Sequence, residues 1–351
     1  MGSPIVPKPF LALLKHEKIN VVDVGAAGGL QSRWKALLPY VNAFLFEPDK
    51  RSYERMLQKN DGISYVNCAL GGQCGTVELN LTRKPQCSSV YLPNREFIEQ
   101  FPEEGRFDVT GKLEIELTTL SRLREANLLP RIDFIKIDVE GYEYEILSGG
   151  DYHISQEAFG LEVEVEFQSI RREQPLFCDV HKFLSEKGYD LYDLRFTYWK
   201  RRGPIQTRQA KGQIIFADAV YFKKVSFLTE VIRRSEKIMA RRITVHAATL
   251  FAIYGYYDCS RELIAARDDL FSEDEKSEIL AFFRPSWWAR RFTSHKIHNA
   301  LVYLADIVDP ARRGYFKVWP MIGNLRDGGG ATDSKAQGAL VSREVSSVGP
   351  D

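Results

Sequence analysis

The segment IDFIKIDVEGYEYEIL, residues 132–147, is an apolar run that ends in three ionisable side chains, Lys136, Asp138 and Glu140. Side chains alternate along a strand, so Phe134, Lys136 and Asp138 share one face while Ile135, Ile137 and Val139 share the other. A strand that is apolar on both faces is one covered on both sides, as in parallel sheets. Lys136 then sits near the carboxyl end of a buried strand, where an ammonium must be paired or line a wet cleft, because burying it alone is costly. Asp138 falls at the sheet edge where open α/β folds bind ligands. Glu140 and Gly141 open the following helix, beside its unpaired backbone amides. Taken alone, the segment reads better as a structural Lys136–Asp138 ion pair with Glu140 capping the helix. Its surroundings alter that balance.

On either side, short β-branched runs alternate with helical patterns. INVVDVG (19–25) and NAFLFEP (42–48) are strands, each followed by a helical pattern, GLQSRWKALLPY (29–40) and RSYERMLQKN. GISYVNCAL reads as a third strand, IDFIKID as a fourth, GLEVEVEF (160–167) as a fifth, DLYDL as a sixth, and QIIFADAVYFKK closes the series. The alternation predicts a Rossmann-like, doubly wound, mainly parallel α/β sheet. Residues 1–18 form a lead-in and 19–224 the sheet domain. An insertion at about 71–131 carries two half-wet strands, TVELNL and LEIEL. From 225 to 322 the pattern is helical, with a Ser272–Glu275 capping box before SEILAFF, so a helical appendage is expected. Residues 323–351, rich in Gly and Ser, read as a disordered tail. Trp287 and Trp288 in the appendage read as core residues rather than an acceptor-docking or membrane-surface patch, and dimerisation through these helices is open.

At roughly 150 residues per domain, the 351-residue chain suits about two domains. Its net charge of +1 gives no field for nucleic acid. No apolar run nears the ~20 residues of a membrane span, and the start MGSPIVPKPF lacks the regions of a signal peptide. A cytoplasmic location with five reduced thiols follows as the expectation, and the sequon at Asn80 is then idle.

VVDVGAAGG places Asp23, Gly25, Ala27, Gly28 and Gly29 in a turn between strand and helix, where the backbone can approach an anionic ligand closely. A dinucleotide fingerprint begun at Gly25 needs Gly at 27 and 30, where the chain has Ala27 and Leu30. Asp23 suits an ammonium instead, which S-adenosylmethionine has and NAD lacks. Glu47, at the tip of the second strand, suits ribose hydroxyls. Cys68 and Ala69 stand where a flat adenine would lie.

Together these stretches resemble the FkbM-type S-adenosylmethionine-dependent methyltransferases. The resemblance rests on VVDVGAAGG, FEPD, NCALGG and above all IDFIKIDVEGYEYEIL, and continues through LEVEVEF, QPLF and GQIIFADAVYF, over roughly residues 19–222. It implies a Rossmann-type methyltransferase acting on hydroxyls of sugars, glycans or secondary metabolites. Asp23, Gly25, Ala27 and Gly29 would hold the methionine end, Glu47 the ribose, and Asp138 and Glu140 would flank the reacting centre. Methylating an alcohol needs a base, for which Asp138 comes first and Glu140 second, with Lys136 keeping Asp138 ionised or holding the acceptor. In GLEVEVEF, Glu162 is expected to be exposed and Glu166 to enter the cleft, where with Asp138 it could take magnesium. Ser89 is expected to face the acceptor. An N- or carboxyl-methyltransferase, and a cofactor-binding protein without turnover, stay open.

Overall fold

The structure, a computed structural model, describes residues 6–26, 29–59, 61–202 and 212–284. The expectations for Ala27 and Gly28, for Trp287 and Trp288, and for everything beyond 284 lie outside these residues.

Among the described residues ten strands run in chain order: β1 (Ile19–Val24), β2 (Val41–Phe46), β3 (Ser64–Val66), β4 (Ala69–Leu70), β5 (Gly75–Thr82), β6 (Val109–Thr118), β7 (Phe134–Ile137), β8 (Gly160–Glu166), β9 (Tyr189–Trp199) and β10 (Gln213–Lys223). Seven of them form one sheet in the order β3-β2-β1-β7-β8-β10-β9. β10 runs antiparallel to both of its neighbours, and the other pairings are parallel. The order reverses between β1 and β7, the switch point at which doubly wound sheets open a crevice for ligands. β4, β5 and β6 make a separate three-stranded sheet from the insertion, so GISYVNCAL is two strands in different sheets rather than one.

Alternation along the strands sorts the large sheet into two faces. Val22, Val24, Ile135, Ile137, Val163 and Ala219 pack beneath helices Glu143–Gly149, Asp151–Glu157 and Phe177–Glu186. Val21, Phe134, Val220 and Phe222 of the other face join one core with the N-terminal helix Lys8–Leu14 and with helices Val225–Arg234 and Lys237–Ile253. From Ile243 onward helix Lys237–Ile253 buries side chains on every side, Ala247, Ala248 and Ala252 among them, as a helix segment enclosed within a core must. GLQSRWKALLPY, which reads as one helical pattern, forms only a short helix, Ser32–Lys35, and a 3-10 turn, Leu38–Tyr40. Pro39 sits inside that turn, where its ring and missing N–H block a longer helix. The expected capping box at Ser272 and Glu275 forms in both directions.

Candidate active site

The site is built where one face of the large sheet stops being apolar. On β1, β7 and β10 that face is lined by Val21, Phe134 and Val220. Nearer the carboxyl ends it turns charged. Register sets Asp23 beside Lys136 and Lys136 beside Glu162, which forms an inner row. Two residues on, Glu164 lies opposite Asp218, and Asp218 opposite Arg195, in an outer row.

In the inner row, Lys136 Nζ lies 3.1 Å from Asp138 Oδ2 and 3.7 Å from Asp23 Oδ1. Burial works against the ammonium, yet Asp138 and Asp23 hold it above the ordinary lysine range. Asp23 is 2% exposed, and burial pushes its carboxyl up to about 6 in spite of Lys136. Asp23 Oδ1 is buried and has no hydrogen-bond partner among the described residues. Glu162, expected to be exposed, is 1% exposed. It accepts hydrogen bonds from Gln31 Nε2 and Tyr254 OH, each at 2.8 Å, and pairs with Arg195 and, at 3.7 Å, with Arg33. Burial opposes its charge, but Arg195 and Arg33 prevail and hold it down to about 2. The expectation failed because the cations come from sequence-distant elements, Arg195 from β9 and Arg33 from the short helix Ser32–Lys35.

The glycine turn and the end of β7 touch directly. Gly25 adopts φ +83°, and a Cβ placed on it would lie 1.9 Å from the Asp138 carbonyl oxygen. Asp138 N–H donates to Val24 O at 3.0 Å and extends the ladder to the edge. The chain then bends through Glu140 (φ +63°) and Gly141 (φ +103°), and the buried Glu143 carboxylate accepts from Val139 N and Gly141 N to close the loop. A left-handed glutamate costs roughly 1–3 kcal/mol and persists only where its surroundings fix it. Ser89 Oγ donates to the Glu140 carbonyl at 2.7 Å, and Arg171 binds its carboxylate. Ser89, expected to face an acceptor, is therefore buried and spent on shaping the bend.

Arg171 was not foreseen. It is fully buried, pairing Glu140 through one nitrogen and Glu166 through the other, the latter at 3.2 Å, while its own N–H donates to Gln174. Its neighbour Arg172 is exposed, and nothing in QSIRREQ distinguishes the two. Glu166, expected in the cleft with Asp138, is withdrawn by this pairing, and burial pushes it up to about 7 against Arg171. The carboxylates that do meet are Asp138, Glu140 and Glu164, with ligand oxygens within 4.8 Å of one another. Glu164 lies near enough to Arg171 to feel its charge, yet unlike Glu140 and Glu166 it makes no ion pair with it. Burial, Asp138 and Glu140 push its carboxyl well above the ordinary range. Asp218, also unforeseen, is raised to about 6 by burial against the pull of Arg195.

On the other side of the turn, Glu47 is buried at the end of β2 and one of its oxygens accepts from Asp49 N at 2.9 Å. Burial raises its carboxyl. Cys68, half-buried, directs its thiol to the Ala69 carbonyl, and Ala69 is buried in β4 against Leu117. His181 stacks on Phe177 beside Tyr221, on residues remote from these rows.

Residues 23–191 match the family described as the methyltransferase FkbM domain. Methyltransferase SdnD of Sordaria araneosa is 31% identical over 195 residues, which cover 49% of this chain and 73% of that protein. Among solved structures, the FkbM methyltransferase of Methylobacillus flagellatus aligns at 16% identity and a TM-score of 0.32, over 59% of this chain and 44% of that one. Magnesium protoporphyrin IX methyltransferase of Synechocystis, with bound SAM, aligns at 12% identity and a TM-score of 0.31, over 62% and 77%. The chain thus spans less than half the length of the Methylobacillus structure. The family match covers the strands whose ends carry Asp23, Glu47 and Asp138. The chain belongs to the FkbM-type S-adenosylmethionine-dependent methyltransferases.

Proposed function

We propose that the chain methylates a hydroxyl of a sugar, glycan or secondary metabolite. The observation that carries this reading is the Lys136–Asp138 pair, in which a carboxylate one-third exposed at the mouth is held 3.1 Å from a buried ammonium. Three features suit the cofactor. The buried Asp23 Oδ1, which has the 3.7 Å ion pair with Lys136 but no hydrogen bond among the described residues, is an acceptor for its ammonium. Gly25 leaves no side chain between the turn and the end of β7. Glu47 spends one oxygen on Asp49 N and keeps the other for ribose hydroxyls. Bound there, S-adenosylmethionine supplies an electrophilic methyl group.

The chain's residues then do the rest. Asp138 accepts the hydroxyl proton as the acceptor oxygen attacks, a contribution of roughly 10²–10⁴-fold. Lys136 fixes the Asp138 carboxylate toward the cleft. Glu140 and Glu164 orient the acceptor's other polar groups, and good alignment is worth up to about 7–11 kcal/mol. The mouth, whose acids outnumber its cations, also favours one rival, an amine acceptor, over a carboxylate acceptor that would add a further negative charge beside Asp138. Product mass analysis and the pH–rate profile separate the two, because an amine entering neutral needs less help from a base.

Asp138→Asn tests the assignment. Turnover should fall at least a hundredfold while S-adenosylhomocysteine binding, followed by calorimetry, is retained. Undiminished turnover removes Asp138 as the base.

A further inference from the structure

The family match ends at residue 191, yet Arg195 and Tyr254 reach back from beyond it to the inner row. We propose that the C-terminal helices are part of the cofactor site, and that they act through Tyr254 and the buried Glu162 to position the glycine turn. The inference rests on the reading that this turn holds the cofactor.

Tyr254 caps the carboxyl end of helix Lys237–Ile253. Its ring is wedged in the core, 5.2 Å from Phe134 and 6.3 Å from Trp34 between centroids, which fixes where its hydroxyl points. That hydroxyl donates to Glu162 Oε2 at 2.8 Å. Glu162 Oε1 receives Gln31 Nε2, also at 2.8 Å. Gln31 lies two residues after Gly29, so the carboxylate ties the exit of the turn to the end of the C-terminal helix. Arg33, in the short helix that follows, reinforces the link twice. Its guanidinium lies 4.5 Å from the Tyr254 ring centroid and its Nη1 lies 3.7 Å from Glu162.

Packing alone does not call for this arrangement. An apolar residue at 162 would fill the same space without the cost of burying a charge. What a carboxylate adds is direction, since each oxygen accepts at a defined angle from a different segment. Backbone bonds already anchor the start of the turn, from Gly25 N and Ala26 N to Phe46 O. Gln31–Glu162 supplies a corresponding anchor at its far end. Glu162 also lies beside Lys136 in the sheet register, so it adjoins the pair that includes Asp23. Tyr254 and Glu162 are positioning residues here, with no contact to the reacting atoms.

The test is calorimetric titration of S-adenosylhomocysteine into the full chain and four variants. Tyr254→Phe keeps the ring and loses the hydroxyl, and Gln31→Met loses the amide. Each should weaken binding by roughly three- to tenfold, the worth of one hydrogen bond. Combined in one chain, their effects should fall short of multiplying, because both act through Glu162. Ser260→Ala is the structural control. It removes the buried bond from Ser260 Oγ to Ala248 O within the same helices, and should lower the melting temperature without changing affinity. If Tyr254→Phe binds like the wild type while melting earlier, as Ser260→Ala does, the tyrosine only stabilises the helices and the proposal is wrong. If the folded wild type itself binds no S-adenosylhomocysteine, the assignment of the turn fails, and the proposal with it.

Discussion

Glu162 and Glu164 are two residues apart on one face of one strand, yet they sit in opposite electrostatic surroundings. The inner glutamate is met by two arginines, an amide and a tyrosine hydroxyl, and keeps its charge down to a pH of about 2. The outer one faces Asp138, Glu140 and Asp218, and holds a proton well above the ordinary glutamate range. The inner region spends its polarity on holding segments in place. At the mouth the acids outnumber the cations that meet them, which leaves polarity for something else to meet. Stability and binding therefore divide along β8, and substitutions should reveal the boundary.

The largest effect is expected where the two regions touch. Gly25→Ala places a methyl group against the Asp138 carbonyl in a left-handed backbone. The backbone penalty and the overpacking together should cost roughly 2–6 kcal/mol, measured by urea unfolding, and should abolish S-adenosylhomocysteine binding. Normal affinity in that variant would show that the turn and the end of β7 are not held in this contact.

Next comes Arg171→Met, which leaves the buried Glu166 and the half-buried Glu140 without their cation. Breaking a buried pair costs about 3–5 kcal/mol. Most of that loss should be recovered by adding Glu166→Gln, or by lowering the pH so that the carboxylates protonate. A loss of the same size at every pH would mean that Arg171 matters for its packing and not its charge.

The smallest effect lies in the pH dependence, where the two glutamates should pull in opposite directions. Glu164 holds its proton more tightly folded than unfolded, so its contribution to stability falls as pH rises from the ordinary value of 4.5 toward its folded pKa. Glu162 is the reverse. Its stabilisation is complete above 4.5 and is lost as pH falls toward 2. In melting curves against pH, Glu164→Gln should flatten the decline above 4.5, whereas Glu162→Gln should flatten the acid limb. If both variants altered the same limb, the division of β8 into two regions would be wrong.

Much of this was legible from local pattern. The strands, the place of Lys136, Asp138 and Glu140, and the nearness of the glycine turn all follow from alternation and from where doubly wound sheets open. Residues whose roles depend on distant partners were not legible. Arg171 looks like Arg172 until the bend at Glu140 is seen. Glu162 looks like a wet residue until Arg195 and Tyr254 arrive from beyond the family match. Asp218 could have been found, because an acid within FADAVYF invites the same question that Lys136 raised in FIKID. Ser89 was placed near the right neighbour and given the wrong task, because spacing cannot show which way a hydroxyl points.

One feature of the sheet also bears on how the protein is made. β10 is the last of the described strands, yet it lies between β8 and β9 and pairs with both. During synthesis, which runs from the N-terminus, β8 emerges long before the strand that will cover its edge. Until then it is an open edge of alternating valine and glutamate, the kind of surface on which nascent chains pair with one another. Its glutamates repel a second copy for as long as that edge is bare. The charges that later divide into an anchor and a carboxylate-rich mouth would thus serve first as a guard for the unfinished chain.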